Sequence, residues 1–102
     1  MQLVQILLPL SDNDGQRFPP EMFETFKEEL TREYGGVTAF LQAPAQGRWF
    51  QDEAGAAEED VVIFEVMVEN LHLGQWQQHR GDLESRFRQK RVLIRHMEIG
   101  LI

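Results

Sequence analysis

Cysteine is absent from this sequence of 102 residues. That removes disulfides, thiolate metal sites and cysteine nucleophiles together, and it says nothing of the redox compartment. Long hydrophobic runs are absent as well, since none approaches the roughly 20 residues that cross a bilayer. The apolar opening, MQLVQILLPL, has no basic stretch and runs into Ser11-Asp12-Asn13-Asp14-Gly15 rather than a small-residue cleavage site. A strand is expected there, not a signal peptide, and the expected address is the cytoplasm. Positive charge is scarce: 10 Lys and Arg stand against 17 Asp and Glu, for a net charge of -7. A domain that acidic lacks the field that supplies most nucleic-acid affinity, so neither a nucleic acid nor a membrane is an expected partner. Nucleophile-elbow, phosphate-loop and dinucleotide fingerprints are also missing, and no cofactor is expected.

What is present is enough for one core. At this length about two thirds of the unfolded chain's surface can be buried, which predicts a single domain over residues 1–102. Residues 3–8 are apolar and are stopped by Pro9 and the turn residues after it, which predicts a strand. Over residues 21–34 the spacing becomes helical, with Phe23, Phe26, Leu30 and Tyr34 on one stripe, Pro20 in the first turn and Gly35-Gly36 at the end. Residues 37–43 are β-rich. Next come Trp49-Phe50-Gln51 and residues 56–58 around Gly55, a pattern that predicts a hairpin extension rather than a long structureless loop. Residues 60–68 alternate as a strand, with Val62, Phe64, Val66 and Val68 on one face and Val61, Ile63, Glu65 and Met67 on the other. A second helix is expected over 71–89, with Leu73, Trp76, Leu83 and Phe87 on its stripe, and a last strand over 92–99.

Two strand-helix-strand units in this order predict an α+β fold of ferredoxin-like type, βαββαβ, with sheet order 4-1-3-2, both helices on one face and the β2-β3 hairpin extended. The other face is then left bare. It is expected to carry Leu3, Gln5, Leu7, Phe40, Ile63, Glu65, Met67, Ile94 and His96, more apolar surface than a soluble monomer usually exposes. At the level of this strand pattern the chain resembles the dimeric α/β barrel group. That resemblance implies two subunits packed sheet to sheet, and in some members a cavity used for cofactor-free oxygenation, small-aromatic transformations or haem chemistry. Three short motifs, Gly36-Val37-Thr38, Gly47-Arg48-Trp49 and Phe87-Arg88-Gln89 through Val92-Leu93, look similar to an uncharacterised family of small bacterial proteins. That family carries a Gly-Leu-Thr-Val-like strand, a Gly-Gln-Trp-like turn and a Phe-x-Gln-x-x-Val-Leu-like close. The resemblance supports the fold and transfers no catalytic residue.

Histidine titrates near neutral pH and so comes first among candidates for acid-base or ligand roles. His72 and His79 are seven residues apart, about 10.5 Å along a helix, which is too far to share a metal easily. Glu69-x-x-His72 has a di-iron spacing, but such sites need two copies and two further carboxylates, so no metal site is expected. His96 is expected on the bare face near Gln5 and Glu65. Glu65 and His96 are therefore the candidate catalytic pair, set against the plainer reading of one polar group per strand on a partly wet dimer face. The candidate ligand-binding set is Gln5, Leu7, Phe40, Ile63, Glu65, Met67 and His96. Arg48, Trp49 and Phe50 read either as a lid or as packing over a sheet edge. Arg86, Arg88, Lys90, Arg91 and Arg95 read first as cations favoured at the negative end of a helix. Three functional readings follow. The leading one is a homodimer whose bare faces meet, as an assembly surface or around a small apolar ligand. The others are a cofactor-free barrel enzyme acting on a small aromatic or carbonyl compound, and a monomeric interaction module.

Overall fold

The computed structural model describes residues 1–42 and 61–102. The expected hairpin of Trp49-Phe50-Gln51 on residues 56–58, with its lid, lies outside them. The described elements run β1 (Gln2–Pro9), α1 (Pro20–Tyr34), β2 (Thr38–Gln42), β3 (Val61–Val68), α2 (Leu73–Arg86) and β4 (Leu93–Glu98).

Local chemistry sets the helix limits. Proline opens α1, where its missing N–H costs no hydrogen bond. Gly35 closes it in the left-handed region at φ 84° and gives its N–H to the Thr31 carbonyl at 2.8 Å. The second helix is shorter than the expected 71–89. Its end is set by Arg88, which takes φ 49°, while the Phe87 N–H returns to the Leu83 carbonyl at 2.9 Å and the Gln89 N–H to that of Glu84 at 2.9 Å. Leu73 departs from its expected place on the buried stripe: it is the first residue of α2, before the helix has crossed onto the sheet, and stands 61% exposed.

The four strands form one antiparallel sheet in the order β2-β3-β1-β4, which is the expected 4-1-3-2 read from the opposite edge. Both helices cover one face. Val4, Ile6 and Leu8 of β1 and Phe64 and Val66 of β3 are packed there against Phe26 and Leu30 of α1 and Trp76 and Leu83 of α2. Aromatic edges do much of the filling, with Phe26 against Phe64 at 4.9 Å between ring centres and Phe18 against Phe87 at 5.1 Å. Among the described residues no polar side chain is buried. None of the described helices is long and apolar enough to cross a membrane.

One contact decides how β4 is presented. Val92 is buried in the core, and its N–H is held by the Glu84 carboxylate of α2 at 3.0 Å. With Val92 fixed against the helices, strand alternation turns Ile94, His96 and Glu98 to the helix side and Leu93, Arg95 and Met97 to the other.

Candidate functional site

Residues paired across neighbouring strands share a face, so the register can be read as rows. On the face away from the helices one row is Phe40, Ile63, Leu7 and Leu93. The next is Thr38, Glu65, Gln5 and Arg95, and beyond it stand Met67, Leu3 and Met97. A polar row thus crosses all four strands between two apolar ones. Phe40 is 40% exposed, Met67 and Leu93 are each 50% and Met97 is 46%, whereas Ile63 is buried at 3% and Leu3 and Leu7 are half-buried, so the apolar rows are open to water at some positions and covered at others.

The polar row is internally wired. Glu65 and Arg95 sit on strands that flank β1, two strand spacings or about 10 Å apart at the backbone, too far for an easy direct ion pair. Gln5 bridges them. Its Nε2 donates to Glu65 Oε2 at 2.6 Å, and its Oε1 accepts from Arg95 Nε at 2.7 Å. The amide can serve both only in this orientation, because the carboxylate needs a donor and the guanidinium an acceptor. The row therefore has a fixed polarity, negative toward β2 and positive at the β4 edge.

The structure brings Gln5, Leu7, Phe40, Ile63, Glu65 and Met67 onto this face and does not bring His96 with them. His96 is paired with Val4, and Ile94 with Ile6, so both belong to the helix side of the sheet. The expected pairing of Glu65 with His96 is thereby corrected: the sheet itself lies between them, and Arg95 takes the place in the row expected of His96. A one-residue difference in parity is enough to exchange the two. His96 Nδ1 instead meets Gln2 Oε1 at 3.0 Å. Arg95 and Thr38 are the site residues that strand alternation alone missed. The parity is set by Val92, whose burial in the core and bond to Glu84 are tertiary contacts that local spacing does not show.

The basic cluster is also dispersed. Arg86 bonds Glu29 of α1 at 2.9 Å and Asp82 of its own helix at 3.1 Å. Burial would lower its pKa, but the bonds to these two carboxylates outweigh it and hold the guanidinium above its ordinary value. Arg88 lies over the Phe18 ring at 5.5 Å, with Asp12 at 3.7 Å.

On the outer surface a groove of about 550 Å³ separates the two helices, lined by Glu29, Glu33, Gln78 and His79 among others. Tyr34 stacks on Trp76 at 5.0 Å, and its hydroxyl meets His79 Nε2 at 2.9 Å, with Glu33 Oε1 at 3.1 Å from the same nitrogen. Burial first, and then the negative charge of Glu33, push the Tyr34 hydroxyl well above the ordinary phenol range. This cluster joins the helices. Among the described residues no group of three or more His, Asp or Glu side chains is placed to hold a metal.

No family model matches the chain, and no curated protein matches it. Among solved structures the chain is similar to a phage SAM lyase in complex with S-methyl-5'-thioadenosine. The TM-score is 0.63 and the identity 19%, over 95% of this chain and 80% of that one. At that identity the likeness is one of fold: a small domain with two helices on a four-stranded antiparallel sheet.

Proposed function

We propose that this protein works as an assembly in which two copies pair through their open sheet faces, with the polar row setting how they meet. The observation that carries this reading is the fixed polarity of the row from Glu65 through Gln5 to Arg95. Sheets packed face to face stand about 10 Å apart, a gap that Arg and Glu side chains reaching from opposite sides can close. A two-fold axis lying between the sheets and running along β1 reverses the row, setting each Arg95 against the Glu65 of the other copy. It also sets each apolar row against its own counterpart. An axis along the row would oppose Arg95 to Arg95 and is disfavoured by like charge. The strand-pattern resemblance to the dimeric α/β barrel group agrees with pairing of this kind.

Light scattering at low micromolar concentration is expected to give twice the chain mass of 11.9 kDa. Two single variants, Arg95→Glu and Glu65→Arg, should each be monomeric because each row then carries one sign of charge at both ends. Mixed in equal amounts they should recover a dimer. A monomeric native chain, or variants that pair as well alone as together, would overturn the proposal.

A second reading takes its support from the solved neighbour, whose description names a lyase and a bound nucleoside thioether. Here the same row acts on a small molecule, with Glu65 as the acid-base group and Arg95 as an anchor. Titration calorimetry of native protein and Glu65→Gln with S-methyl-5'-thioadenosine tests it, and no heat from the native protein ends it.

A further inference from the structure

A second hollow lies on the opposite side of the sheet, where the first turns of α2 overhang β1 and the edge strand β4. Its floor is apolar, made by Val4, Ile94 and the Trp76 ring, and the exposed Leu73 stands at its lip. Its volume is about 150 Å³. A cavity of about that size accepts one six-membered carbon ring.

The rim is polar and carries charge. Arg80 lines the hollow from α2 and makes no hydrogen bond or ion pair among the described residues, unlike Arg86, Arg88 and Arg95. His96 lines it from β4. Gln2 gives its amide nitrogen to Glu98 at 2.9 Å, so its Oε1 accepts from His96 Nδ1–H. Nε2 of His96 is left without a partner among the described residues, and Arg80 decides the charge of any ligand. Among the described residues Arg80 is the one Lys or Arg side chain that lines the hollow, and no Asp or Glu lines it.

We infer that this hollow is a binding site for a single-ring aromatic carboxylate. The ring lies on Val4, Ile94 and Trp76, and the carboxylate meets the planar fork of Arg80, which matches its two oxygens. The site shares no residue with the open face.

Sodium benzoate at millimolar concentration is the probe, followed in an assigned ¹H–¹⁵N spectrum. Saturable shifts are expected at the Trp76 indole and at the Ile94 and His96 amides. Arg80→Gln should weaken binding tenfold or more, Arg80→Lys should recover part of it, and benzyl alcohol, which keeps the ring and loses the charge, should bind as weakly as benzoate does to Arg80→Gln. Arg80 is exposed on α2, so these variants are expected to fold. Shifts that survive Arg80→Gln unchanged, that gather instead around Arg95, or that benzyl alcohol reproduces at equal concentration would overturn the assignment, as would no saturable shift.

Discussion

One strand, β1, serves two different surfaces. Val4, Ile6 and Leu8 go to the helix side and are at most 1% exposed, while Leu3, Gln5 and Leu7 go to the other side and are half-buried. Both sets are largely apolar, so hydrophobicity alone does not separate the covered face from the open one. Treatment of polar groups does. Among the described residues the covered side buries no polar side chain, whereas the open side carries a row of them in which Glu65, Gln5 and Arg95 are bonded in series. A polar row that is satisfied within its own chain costs little when wet and little when another surface closes over it. That is the property expected of a face that is sometimes covered.

The largest effect expected of this contrast is in stability. Phe64→Ala removes a ring buried to 1% and stacked edge-on against Phe26, and should cost about 3–5 kcal/mol in urea unfolding. Met67→Ala, three residues along the same strand, should cost under about 1 kcal/mol when measured at a dilution where the chain is monomeric. Equal costs would mean that the open face is already closed in the monomer. A smaller effect is expected from Gln5→Leu, which separates Glu65 from Arg95 without burying either charge. A loss of about 1 kcal/mol, with increased self-association as the apolar rows merge, would sharpen the comparison. Unchanged stability would mean that the row is not wired in solution.

The smallest effect lies in the helix layer and is spectroscopic. Tyr34 is the only tyrosine, so absorbance near the phenolate band reports it alone. Its folded pKa is raised above the unfolded value of about 10. The protonated hydroxyl therefore adds its full share of stability below that pH and loses it progressively as the pH rises further. Native protein should show no phenolate until well above pH 10, and His79→Ala, which removes the hydroxyl's partner, tests how much of this depends on the cluster. An ordinary titration curve for the folded protein would place Tyr34 in water.

Much of the fold was legible because it rests on strong periodic signals. The alternation of β1 and β3 marks each as a strand and divides its side chains into two sets, the stripe of Phe26 and Leu30 marks a buried helix face, and Pro20 and Gly35 mark where α1 begins and ends. The candidate site was legible on β1 and β3 and, but for Thr38, on β2. On β4 both parities are plausible, since Leu93, Arg95 and Met97 are as apolar as Ile94, His96 and Glu98, and an edge strand is only partly covered by the helices. Alternation yields two sets of side chains without saying which set faces in. That choice is made by a tertiary contact, Val92 in the core with its N–H on Glu84, which no local pattern contains. Leu73 failed for a related reason: helical spacing gives a stripe, and only the path of the helix decides where along it the sheet begins.

The position of β1 at the centre of the sheet has a kinetic consequence. It precedes both of its neighbours in the chain, since they are β3 and β4 and begin at Val61 and Leu93. Until Val61 and the residues after it have been made, an apolar strand has both hydrogen-bonding edges unsatisfied, and among the described elements α1 is the helix able to shelter it. The loops to be closed are long, which places folding toward the slower end for a domain of this size. During that wait the first ten residues are the stretch most exposed to mispairing or to capture by chaperones.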